Sequence, residues 1–230
     1  MKAETSGLQR FEQDSVVTRI VTAIRLGRLK PGAKLSETVL AEVFDTSRTR
    51  IRQVLAHLST KGLVKLLPNR GAFVAKLTAD EAHQVFAARR VIEAATVSAL
   101  AKADNAKARA DLTSHVEIER KAVAGGDPLE MLIAGGDFHV LIAKLSGNDV
   151  LASFVDDLML RTALIISDYE RGGVVHCSCD THARLASLIL EGSADDATNL
   201  MMHHIDDLEA PLLAKARPTS DDIRAIFAEI

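Results

Sequence analysis

Three histidines and a run of arginines carry most of the chemistry in this sequence. His139 lies beside Ile142 and Ala143, and His182 shares a helical stripe with Leu185, Ala186 and Ile189. His204 shares one with Ala197, Leu200, Met201 and Leu208, whereas His203 falls with Asn199, Asp206 and Asp207 and faces water. The first three therefore point inward from three separate helices. A buried imidazole needs a polar partner, and a divalent cation is one partner that satisfies three at once. Zinc, nickel or manganese would suit, with positions left open for water or a ligand carboxylate. The cluster "HCSC" (176–179) is a rival, but there is no second cysteine pair to complete it.

The segment "TSRTRIRQVL" (46–55) sets Arg48, Arg50 and Arg52 at alternate positions. On a helix, Ile51, Val54, Leu55 and Leu58 form one inward arc. Arg50, Arg52, Thr49, Gln53 and His57 take the opposite arc, with Arg48 at its edge. That face is wide, positive and rich in hydrogen-bonding groups, as nucleic-acid contact requires.

These side chains need elements to hold them. "VVTRIVTAIRL" (16–26) turns Val16, Ile20, Val21 and Ile24 to one side. "KPGAKL" reads as a turn, and Ser36 caps a second helix with Val39, Leu40 and Val43 inward. Thr46 or Ser47 caps the arginine helix, which ends at Lys61-Gly62. "LVKLL" and "AFVAKL" flank "PNRG" as a β-hairpin. "TADE" (78–81) is a capping box that opens a long helix. Further helices are expected near 105–124, 128–146, 149–169, 178–191 and 194–215, after a polar arm at 1–14. The fold class is thus mainly α. Residues 1–77 form a helix-turn-helix with a hairpin wing, and 78–230 form an all-helical antiparallel bundle.

Composition agrees. The chain has 230 residues, 47% of them hydrophobic but only 3% aromatic, so its core must be aliphatic. The net charge of −3 conceals a basic part: residues 1–76 hold 14 Lys and Arg against 6 Asp and Glu, while the remainder is acidic. Such a part suits a polyanion. There is no apolar span for a membrane and no signal peptide, and two cysteines give no disulfide framework, so a cytoplasmic protein is expected.

Residues 27–77 resemble the DNA-binding head of the GntR family of bacterial regulators, through "LKPG", "LSE..LAE", "SRT..R..L..L...GLV" and "PNRGAFV". The resemblance implies DNA contacts from Ser47, Arg48, Thr49 and Arg52, with Arg70 and Gly71 at the wing tip. Arg50 stands where the family usually has Pro, and Gln53 where it usually has Glu. Both changes bear on which operator is read.

"FHVLIAKLSGN" (138–148), "TH" (181–182) and "HI" (204–205) resemble the FCD ligand-sensing domain of the FadR subgroup. Many members hold a metal with one Asp and three His. His139, His182 and His204 match the histidines, but the Asp position is Gly135. Arg89 matches an arginine that often faces the effector pocket and would pair with a carboxylate. An alternative partner is Glu93 at i+4. The implied protein is not an enzyme. It is a homodimeric regulator that binds operator DNA under control of a small carboxylate effector. A metal-dependent hydrolase and a bundle that only dimerises are the alternatives.

Overall fold

The computed structural model describes residues 15–103, 106–169 and 179–214. The arm at 1–14 and the His176-Cys177 half of the cysteine cluster lie outside them.

The first module is built as the caps dictate. Helix α1 (Ser15–Arg25) buries Val16, Val17, Ile20 and Ile24. Val17 thus takes the inward place expected of Val21, which is half-buried. Helices α2 (Glu37–Val43) and α3 (Arg48–Thr60) are capped by Ser36 and Ser47, whose hydroxyls accept from Val39 N and Arg50 N. Ile51, Val54, Leu55 and Leu58 are buried as the periodicity requires. Gly62, at φ +74°, takes the left-handed turn that stops α3.

Strands β2 (Val64–Leu67) and β3 (Gly71–Val74) pair antiparallel with Leu67 opposite Gly71. Asn69 (φ 58°) and Gly71 (φ 94°) make the tight tip. A third strand, β1 (Lys34–Leu35), pairs with the far edge of β3 inside the segment expected to be only a turn. Two residues are too few to show alternation.

One inward stripe is corrected. Val39 and Val43 are 53% and 60% exposed, and α2 packs through Ala41, with Leu40 and Phe44 partly buried. In seven residues two stripes compete, and the one carrying small Ala41 lets α3 approach.

The second module is helical throughout its described residues. The capping box of Thr78 and Glu81 opens α4 (Ala79–Lys102). There follow α5 (Ala106–Gly125), α6 (Pro128–Leu145), α7 (Asp149–Tyr169), α8 (Cys179–Leu190) and α9 (Ala194–Ala214). Helix α4 packs against α6, α7, α8 and α9, and α5 packs against α6 and α8. Leu112, Phe138, Ile165, Leu185, Ala197 and Ile205 are fully enclosed in this core.

Helix α7 serves both modules. Leu160 and Leu164 enter the core formed by α1, α3 and the sheet. Arg161 Nε donates to Lys61 O at 3.2 Å, and Lys61 Nζ meets Asp157 Oδ1 at 2.8 Å. At about 1.5–3 kcal/mol for each enclosed aliphatic side chain, the two leucines give this contact more strength than its ion pair does.

Candidate metal centre

Helices α6, α8 and α9 bring His139, His182 and His204 together, with one nitrogen of each within 4.8 Å of the others. All three rings are buried. His182 Nε2 and His204 Nε2 lie 3.0 Å apart. The rings of His139 and His204 stack at 5.3 Å, and Phe138 stacks on His182 at 4.3 Å.

Two carboxylates from neighbouring helices fix these rings. Glu93 of α4 accepts from His139 Nδ1 at 2.5 Å and from Arg89 Nε at 2.7 Å. Glu119 of α5 meets His182 Nδ1 at 2.7 Å. A carboxylate on Nδ1 keeps the proton there and leaves the Nε2 lone pair free to ligate. Helical spacing pairs Glu93 with Arg89 at i+4 but marks no partner for Glu119. Its signal was a charge in an apolar stripe: Glu119 follows Leu112 and Val116 and precedes Ala122, all buried.

Burial lowers His139 to about 4, against the pull of Glu93, and lowers His182 to about 3. His204 is lowered by burial and then by the other two histidines. All three are therefore neutral at pH 7, the form that binds metal. Burial alone would raise Glu93, but Arg89 and His139 outweigh it and hold the carboxyl below its usual range. For Glu119 burial outweighs the pull of His115 and His139 and pushes it up to about 7.

Arg89 is buried, and its Nη1 and Nη2 have no partner among the described residues. Its ion pair with Glu93 uses Nε. The pair and an effector contact are thus compatible, because they draw on different nitrogens. A cavity beside it is lined by Arg89, His139, Gly136, Ile133, Met159 and Leu208, among others.

Gly135 is buried one turn before His139 and supplies no ligand. Asp137 pairs instead with Arg25 Nη2 at 2.6 Å. A Cβ on Gly136 would meet nothing within 4 Å. Gly136→Ala is therefore expected to stabilise the protein by about 0.5–1 kcal/mol, the helix-propensity gain of Ala over Gly, read as a higher denaturant midpoint.

Among the described residues these three histidines are the only group arranged so that it could hold a metal ion, and Cys179 is not part of it. Three neutral imidazoles, two of them braced by carboxylates, fit a divalent cation. The two unpartnered nitrogens of Arg89 fit an anion beside it.

On the other module, Ser47, Arg48, Thr49 and Arg52 are exposed on one end of α3, Arg50 is half-buried, and Arg70 and Gly71 are exposed at the hairpin tip. Arg52 donates to both oxygens of Glu37, at 3.2 and 2.9 Å, so it also ties α3 to α2. Arg52, first, and Arg48 lower the Glu37 pKa.

The FCD domain family matches residues 84–207, more than half of the chain, and the gntR family of bacterial regulatory proteins matches 12–74. This chain is a GntR-family transcriptional regulator with an FCD domain. FCD domains are known to bind metal. The regulator is 26% identical over 180 residues to the Nta operon transcriptional regulator of Aminobacter aminovorans, covering 76% of this chain and 82% of that one. It is 25% identical over 207 residues to LutR of Bacillus subtilis, covering 81% and 94%. A match to the YdhC regulator of Bacillus subtilis, 28% identical, spans 56% of this chain and 58% of that protein.

Among solved structures, a GntR regulator from Rhodococcus sp. RHA1 superposes with a TM-score of 0.78 at 24% identity, over 93% of this chain and all of that one. McbR/YncC of E. coli does so with 0.78 at 18%, over the same shares. Both share the winged helix-turn-helix and helical domain. These relatives are regulators, not enzymes. No helix among the described residues is long and apolar enough to cross a membrane.

Proposed function

We propose that this regulator belongs to the FadR subgroup and acts in the cytoplasm as a homodimer. Its DNA-binding domain is residues 1–77 and its effector domain 78–230. The effector is a small carboxylate held beside a divalent metal on His139, His182 and His204. The observation that carries this reading is Arg89: a buried guanidinium with two unpartnered nitrogens, in the wall of a cavity that also reaches His139. Such donors are costly to bury unpaired and match the two oxygens of a carboxylate. The metal would supply further positive charge and an open position for the same ligand.

Operator binding rests on Ser47, Arg48, Thr49, Arg50 and Arg52 at the start of α3, with Arg70 and Gly71 at the wing. The exposed end of α3 enters the major groove, and the basic wing tip follows the backbone. Arg48→Ala is expected to weaken binding to a DNA selected from a random library about tenfold or more. Arg70→Ala should weaken it more evenly across sequences and lower the salt slope by about 1. Fluorescence anisotropy at several salt concentrations reads both.

Control by the effector is linkage: a ligand that favours one arrangement of the bundle changes the operator affinity, and the operator changes its affinity equally. Equal ligand affinity with and without operator, in paired titrations, would sink the proposal. The hydrolase alternative is disfavoured by Glu93 and Glu119. Each of the carboxylates nearest the histidines has one oxygen on an Nδ1 atom, the role of a brace rather than of a free base.

A further inference from the structure

The cavity beside the histidines is not closed by the bundle alone. Arg25, the last residue of α1 in the DNA-binding module, lines it together with Arg89. Its Nη2 donates at 2.6 Å to Asp137, which follows Gly136, another lining residue, on α6. The ion pair is open to water, with 32% and 46% of the two side chains exposed. Arg25 thus lies on the wetter side, while Arg89 is deep.

We propose that Arg25 is a second anion-binding residue of the effector cavity, so that the DNA-binding module itself touches the ligand. The ligand is a short dicarboxylate, one end on Arg89 and the other on Arg25, and Asp137 is the internal carboxylate that competes for Arg25. This rests on the effector reading given above and adds the ligand class and the route to the head.

Three features support it. Two guanidinium groups on opposite modules line one small cavity whose other walls include Leu132, Ile133, Met159 and Leu208. In an apolar setting an anion is stable only where cations meet it. Thr162 is no rival donor, because its hydroxyl is spent on Leu158 O at 2.9 Å. The cavity is small, so a short chain suits it better than a long one.

The same geometry makes the assignment testable. The head keeps Leu160, Leu164 and the Lys61–Asp157 pair on α7, none of which lines the cavity. Loss of Arg25 therefore does not undock it.

The test is isothermal titration of the full chain with malonate, succinate and acetate. Wild type should bind a dicarboxylate better than acetate. Arg25→Met should weaken that binding about tenfold or more and erase the preference over acetate. Asp137→Asn should tighten it, by up to about fivefold, since it releases Arg25 from a half-exposed ion pair. Lys61→Met, which removes a head contact that does not line the cavity, should leave it unchanged.

Undiminished dicarboxylate binding in Arg25→Met, or no gain in Asp137→Asn, overturns the role of Arg25, and so does an equal loss in Lys61→Met. Absence of binding to wild type, or binding that survives Arg89→Met, overturns the effector reading beneath it. Should Arg25→Met fail to fold, Asp137→Asn and Arg25→Lys decide the same question.

Discussion

Wild type is expected to purify with about one divalent ion per chain, and His182→Ala and His139→Ala each without it. Elemental analysis of protein made without a metal-affinity tag reads this directly. The argument is one of ligand number. With Gly135 one turn before His139, three imidazoles are the whole protein contribution among the described residues. Two ligands hold a divalent ion far more weakly than three, and in each variant the ring lost is one that a carboxylate braces. Glu119→Gln keeps all three rings but weakens the fixing of His182 Nδ1, so metal affinity should fall about 10–100-fold without vanishing.

Chelated protein should also show a pH dependence with a definite sign. The unfolded histidines titrate near 6.5, whereas burial holds His139 at about 4 and His182 at about 3 in the fold. The unfolded chain therefore binds more protons in this range. The stability these rings allow is complete above pH 6.5 and is lost as pH falls towards 4, at no more than about 1.4 kcal/mol per pH unit for each ring. Glu119 works the other way. Its folded value of about 7 lies above the usual 4.5, so its burial costs most above pH 7 and least below 4.5. Chemical denaturation of the metal-free protein at pH 7.5, 6 and 5 should show the net loss. A flat profile would mean that the rings are open to solvent.

Much of this was legible because helical chemistry is local. Thr78 and Glu81 announce α4 by satisfying each other's backbone donors, and Ser47 and Gly62 bracket α3. The three inward histidines follow from 3.6-residue periodicity alone, since each sits on a stripe of Leu, Ile and Ala. Other features depend on neighbours distant in sequence. Strand β1 exists only because β3 offers it an edge. The choice between Val39 and Ala41 on α2 is made by the approach of α3. Arg25 and Asp137 are 112 residues apart, and nothing around either marks the other. Glu93 and Glu119 were visible as charges on apolar stripes, but which histidine each would brace was decided by the packing of α4 and α5 against the helices that carry the rings.

Glu93→Gln is expected to destabilise the protein by about 3–5 kcal/mol, the cost of leaving one member of a buried ion pair uncompensated. Arg89 and Glu93 are each 1% exposed, so water cannot replace the lost charge. The substitution is nearly isosteric, which removes cavity formation as an explanation. What changes is that a guanidinium whose Nη1 and Nη2 already lack partners also loses its one anionic contact. His139 Nδ1 then faces an amide whose nitrogen cannot accept its proton. A double variant separates the two roles of Glu93. Arg89→Met with Glu93→Leu removes both charges and restores an apolar fit, so much of the lost stability should return. Metal affinity should not return with it, because His139 still lacks the carboxylate that holds its proton on Nδ1. Urea denaturation gives the first quantity and zinc titration the second. If the double variant recovered both, Glu93 would serve only to neutralise Arg89, and the cluster would need no bracing from α4. Recovery of stability alone assigns Glu93 to both the fold and the metal centre.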